Sequence, residues 1–193
     1  MRKNIVFAFA ATAALVAGLA LVWVAVPGLL PRLPAGDGTQ PTLRAHWADD
    51  YRNLREMVGG VDVVVVATNV LSQPGRVEDA DTGNPLPFTN QFFRSEQVLK
   101  GQVGGNFVVE QTGGSVGGAV LSIDDGGPYS PGSRYLLFLN KQPDTDMYYL
   151  VNPQGRFLNE GGQMRAAQRG AASNTLHGRT EADAIALVGR GGR

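Results

Sequence analysis

The sequence predicts a mainly β domain, a small antiparallel OB-like barrel, held behind one N-terminal transmembrane helix. Three observations predict it. Ile5–Val26 is an apolar run of 22 residues without a charge, and at about 1.5 Å per helical residue it covers the roughly 30 Å hydrocarbon layer. Beyond position 60, short β-branched and aromatic runs alternate with turn clusters and show no intervening helical period. Hydrophobic residues make up 43% of the 193-residue chain, with Gly 26, Pro 11 and Cys 0. That composition supports a packed core rich in turns and excludes a disulfide framework or a thiolate metal site.

Arg2 and Lys3 precede the apolar run, while Arg32 and Arg44 follow it behind Pro27, Pro31 and Pro34. The positive-inside rule then puts residues 1–4 in the cytoplasm and the domain outside, as a single-pass cell-membrane protein. A cleaved secretory signal is the alternative. Arg2-Lys3 is a proper n-region and Gly18-Leu19-Ala20 a small-x-small site, but that cut leaves Leu21–Val26 as a greasy new N-terminus.

Residues 27–42 contain Pro27, Pro31, Pro34 and Pro41 with Gly36-Asp37-Gly38, a linker that can neither stay helical nor join a ladder. Leu43, Trp47, Tyr51, Leu54 and Val58 then recur at three- and four-residue spacing. This predicts an amphipathic helix capped by Thr42 and ended by Gly59-Gly60. Next, Val61–Ala67 is a β-branched run suited to a strand buried over much of its surface. Phe88–Leu99, Asn106–Gln111, Ala119–Ile123, Arg134–Asn140, Met147–Val151 and Arg156–Leu158 follow as shorter strands. Gln73-Pro74-Gly75, Asp124–Pro128 and Asn152–Gly155 read as turns. Thr180 caps a last helix over Glu181–Val188, with Ala184, Leu187 and Val188 docking. The domain therefore spans 43–189, and 190–193 form a disordered tail.

Three segments in order form a known pattern: Val61–Ala67, then Ser95–Gly101, then Pro131–Leu139. Their strand, lysine-glycine turn and glycine-x-x-tyrosine-leucine layout resembles the netrin-like domain, the OB-type barrel of the tissue inhibitors of metalloproteinases and of many envelope proteins. The resemblance covers about 100 residues, Val61 to Leu158, and implies a fold rather than an activity. In the inhibitors a cysteine at the mature N-terminus reaches the protease zinc and disulfides fasten the barrel. This chain has no cysteine, so no inhibitory role carries over to any residue here.

From Pro31 on there are 15 basic and 17 acidic side chains, a net of −2, which excludes a nucleic-acid partner bound by phosphate neutralisation. Gly113-Gly114-Ser115-Val116-Gly117 is a literal G-x-S-x-G, with Asp124 or Asp125 and then His177 downstream in hydrolase order. Such a nucleophile needs a helix after the turn, whereas Gly118–Ile123 continues as strand or loop, so a flexible glycine-rich loop is the simpler reading. Glu78–Asn84 offers clustered oxygens but has Asn90 at the twelfth position, where a calcium loop needs Glu. It reads as an acidic hairpin loop. His46 and His177 are the two histidines, too few for zinc without cysteine. No metal or other cofactor is expected.

Arg156–Arg193 carries six arginines against three acids; it could touch an anionic polymer, and a solvated tail is the plainer reading. Phe92-Phe93 and Tyr148-Tyr149 are adjacent aromatics in strands, so one of each pair should enter the core and the other face outward. These four mark the expected partner face. The sequence thus predicts a membrane-anchored, extracytoplasmic, non-catalytic binding module for an envelope protein or cell-wall polymer. The alternatives are a serine hydrolase using Ser115 and a secreted barrel released by signal cleavage.

Overall fold

The computed structural model describes residues 42–43, 51–79, 85–116, 119–123 and 126–191. The run Ile5–Val26, the linker through Pro41, His46 and Asp124-Asp125 lie outside them. Among the described residues no helix is long and apolar enough to cross a membrane.

The described residues form a mainly β fold. In chain order the elements are β1 (Thr42–Leu43), α1 (Leu54–Gly60), β2 (Val63–Asp79), β3 (Pro85–Lys100), β4 (Asn106–Thr112), β5 (Gly114–Val116), β6 (Ala119–Ile123), β7 (Arg134–Lys141), β8 (Met147–Leu150), β9 (Arg156–Glu160), β10 (Gln163–Ala166) and α2 (Glu181–Gly191). Strands β7, β2, β3 and β4 lie side by side, each antiparallel to the next. The fourth of these in the chain returns beside the first, which makes a Greek key. β8 turns back antiparallel onto β7 and also runs parallel to β4, so the sheet is mixed rather than purely antiparallel. β9 and β10 continue it from the same edge of β7 that β8 takes, opposite β2. A separate three-stranded sheet holds β1, β6 and β5, with β1 parallel to β6.

Alternation along β2 and β7 divides the interior into two cores. Val63, Val65 and Ala67 face Phe93, Phe107, Tyr129, Tyr135 and Tyr148 on one side of the sheet, where the rings of Phe93, Tyr129 and Tyr135 meet edge to face at 5.1–6.1 Å between centroids. Val64 and Val66 face the other side with Leu136, Phe138, Met57 and Val58 of α1, and Ala184 and Val188 of α2. Both faces of this run are therefore buried, as its unbroken β-branched composition predicts. Each such fully buried side chain contributes roughly 1.5–3 kcal/mol relative to exposure.

Four local predictions need correction. The first helix starts at Leu54, where the Asn53 side chain caps Glu56 N–H; Leu43, read as its first apolar residue, pairs instead with Ile123, and Thr42, read as its cap, with Ser122. Pro74 and Gly75 do not turn the chain. β2 runs through them as an irregularity in register, with Gln73 opposite Asn90 and Pro74 opposite Thr89. Gly114–Val116 is a short strand hairpinned onto β6 rather than a loose loop. In addition, α2 extends through Gly191, so Arg190 and Gly191 belong to the helix and not to a tail. Gln163–Ala166, assigned to no strand from the sequence, pairs with β9 because its polar alternation is completed by Met164 and Ala166 entering the core.

The two motif segments acquire physical causes. The Lys100 ammonium donates to the carbonyls of Val58 and Val61 at 2.6 Å each and of Gly59 at 3.2 Å, closing the C-terminal end of α1. Gly101 follows with φ +74, and a Cβ there would collide with the Asp62 carbonyl oxygen. Gly132 takes φ +80 and its N–H reaches Asn69 O at 2.7 Å, while the Tyr135 hydroxyl accepts from Ser130 N–H at 2.9 Å. The glycine and the tyrosine thus fix one turn from two sides.

Candidate partner-binding face

Odd-numbered positions at the centre of β3 and β4 enter the aromatic core, so the even-numbered ones form the outer surface. Across that surface Phe92 stands opposite Leu71 and Val108, and Asn90 opposite Gln73 and Glu110. Glu110 is itself paired in register with Tyr149 of β8. The structure therefore places Phe92, half-buried, and Tyr149, 40% exposed, on one outer surface two rows apart. Their neighbours Phe93 and Tyr148 are core residues at 1% and 8% exposure.

Beside Tyr149 a set of residues assembles that sequence reasoning did not single out. Arg76 presents Nε and a terminal nitrogen to the two carboxylate oxygens of Glu110 at 2.9 and 3.0 Å, a bidentate fork. Its guanidinium also lies 4.1 Å from the centroid of Phe88 and pairs with Glu78. Gln142 Nε2 donates to Glu110 at 2.7 Å. Burial pushes the Glu110 carboxyl up, but the hydrogen bonds from Arg76 and Gln142 and the charge of Arg76 outweigh it, so the group sits below the ordinary carboxylate value. The Arg76 guanidinium is held correspondingly above its ordinary value by the hydrogen bond to Glu110. Arg76, Phe88, Glu110, Gln142 and Tyr149 line a cleft of about 220 Å³ where β4 and β8 part, with Tyr129 at its floor.

Arg76 was hidden because its neighbours Pro74-Gly75 look like a turn. Glu110 did leave a signal, an acid closing the apolar run Phe107-Val108-Val109 at an outward position.

Ser115 is exposed on β5, opposite Val120, and the chain enters β6 after it rather than a helix. His177 is half-buried beside β10, where its Nδ1 accepts from Ala166 N–H at 3.3 Å. No hydrogen bond joins these two described residues. Glu78 and Asp79 close β2, and the rest of the predicted acidic hairpin, 80–84, lies outside the described residues. Among the described residues no group of three or more His, Asp or Glu is placed to hold a metal ion. No protein-family model matches this chain, and no curated protein matches it in sequence.

Proposed function

We propose that this chain is a membrane-anchored, extracytoplasmic, non-catalytic binding module on a netrin-like, OB-type barrel, and that it holds an envelope protein or polymer on the face of Phe92 and Tyr149. The barrel reading is supported by a circuit of pairings, β2 to β3, β4, β8 and β7, with β7 paired again to β2. Five strands closed in this way leave no free edge within the ring. The anchor reading is supported by the uncharged run Ile5–Val26 behind Arg2-Lys3.

The observation that carries the binding reading is the Arg76–Glu110 fork stacked on Phe88 beside exposed Tyr149. Tyrosine and arginine dominate partner-binding energy when held rigidly, and here both ends of the arginine are fixed before any partner arrives. A non-catalytic role is favoured because Ser115 has neither the following helix nor a histidine bonded to it.

Capture from envelope extract with the full chain, compared with a chain carrying Arg76→Ala and Tyr149→Ala, tests the reading. One recurrent partner lost from the variant while its circular dichroism spectrum is unchanged is the expected result; identical captures would overturn the assignment of the face. Labelling by a fluorophosphonate that disappears in Ser115→Ala would overturn the non-catalytic reading. An intact mass of 20.5 kDa from the native membrane is expected for an uncleaved anchor, and a shorter chain would replace it with a secreted barrel.

A further inference from the structure

A second cleft, which shares Gln111 and Thr112 with the first, lies at one end of the sheet's inner surface, beneath the hairpin β5–β6. The inner positions there change character together. On β2 the apolar series Val63, Val65, Ala67 gives way to Asn69 and, past a bulge, Ser72. On β3 Phe93 gives way to Gln91 and Thr89, and on β4 Phe107 and Val109 give way to Gln111. Ser72 stands opposite Gln91 and Thr89 opposite Gln111, so the polar residues form one patch across three neighbouring strands.

The patch is wired. Gln91, 1% exposed, accepts from the Ser72 hydroxyl and from Asn69 Nδ2 at 3.4 Å, and its own Nε2 donates to Gln111 Oε1 at 3.0 Å. Gln111 Nε2 donates to the Gly127 carbonyl at 3.1 Å. That carbonyl also accepts from Arg156 at 2.5 Å, and the Pro128 carbonyl from the same guanidinium at 2.8 Å. Arg156 is 5% exposed and lies 3.8 Å from the centroid of Tyr129, so the rim is rigid and the positive charge is spent behind it. The carboxamide oxygen of Asn69, a fully buried residue, has no hydrogen-bond partner among the described residues.

Apolar side chains would fill a purely structural end of this core without desolvating carboxamides and hydroxyls. The structure leaves there instead a cleft of about 300 Å³, the small end of the range for ligand sites. Its lining is Ser72, Gln91, Gln111, Thr112 and Ser122 together with Val120, Leu121 and Pro128, without a charged side chain. Hydroxyls and carboxamides both donate and accept, whereas an ion taken into such a site would lose its water without a counter-charge.

We propose that this cleft binds a neutral polyol of about one ring, a sugar unit or cyclitol, with its hydroxyls on the glutamine patch and its carbon face on the apolar part of the lining. Saturation-transfer NMR and calorimetry on the full chain, with glucose, N-acetylglucosamine and myo-inositol as probes and glucuronate and glucosamine as charged counterparts, test it. Saturable binding of at least one neutral probe is expected, at least tenfold tighter than either charged ring. Leu121→Trp, which fills the cleft from β6, should abolish it, Ser122→Ala should weaken it severalfold, and Lys141→Met, at an exposed side chain outside the cleft, should leave it unchanged. Absence of saturable binding by all three neutral probes, equal binding of the charged rings, or binding undiminished in both cleft variants would overturn the proposal. The Ser122→Ala variant decides the matter if Leu121→Trp fails to fold.

Discussion

Replacing Lys100 by methionine keeps the aliphatic stem and removes the three donors that close α1. Seven residues make a helix too short to persist alone, so its place depends on Leu54, Met57 and Val58 in the core and on this cap. The bonds to Val58 and Val61 carbonyls, 2.6 Å each, are part-buried, while the longer one to Gly59 is exposed and returns to water on substitution. Hydrogen bonds from a charged donor contribute about 1.5–3 kcal/mol each. Counting two at the lower figure, Lys100→Met should lose about 3 kcal/mol, or about 9 °C in Tm at ~3 °C per kcal/mol for a domain of this size. Urea unfolding followed by circular dichroism measures it, with Lys141→Met as the control. Lys141 reaches Asp146 at 3.4 Å across two exposed side chains, and its loss should cost under about 0.5 kcal/mol. Equal effects of the two substitutions would refute the assignment of Lys100 as the clasp between helix and sheet.

Two further outcomes are expected. Because the Glu110 carboxyl sits below its ordinary value of 4.5 in the folded chain, the unfolded chain binds more protons near that pH. Its stabilisation is complete above 4.5 and disappears as pH falls through the lower folded-state value. The stability gap between wild type and Glu110→Gln should therefore shrink on acidification, read by urea titrations at several pH values; a gap constant with pH would refute the pairing with Arg76. Arg134 holds Glu181 by two bonds of 2.8 Å and also pairs with Glu96, tying α2 to the sheet. Since these side chains are 20–35% exposed, Arg134→Ala should cost about 2 kcal/mol, less than a fully buried pair. Amide exchange across Glu181–Gly191 should accelerate by about 30-fold, and unchanged exchange there would show that packing of Ala184 and Val188 alone holds the helix.

The strands whose pattern is local were legible in the sequence. Arg134–Asn140 was read one residue short of β7, and the helix from Glu181 began where Thr180 accepts from Asp183 N–H at 3.2 Å. Alternation and capping involve neighbours a few residues apart, and neighbours are what a sequence displays. The rule that adjacent aromatics point to opposite faces likewise separated Phe92 from Phe93 and Tyr149 from Tyr148.

The features decided by tertiary structure all involve distant partners. Pro74-Gly75 has the composition of a turn, yet pairing with β3 carries the strand through it, and Thr42–Leu43 forgoes a helix to pair with Ser122–Ile123. Arg76 meets Glu110 34 positions away, a contact no local pattern announces. The polar patch of Ser72, Gln91 and Gln111 likewise forms only when register sets those positions side by side on one face. Composition and period thus determined that β-rich layers would form and which faces they would bury. Register, a property of pairs brought together by folding, decided which polar residues meet and hence where the two clefts lie.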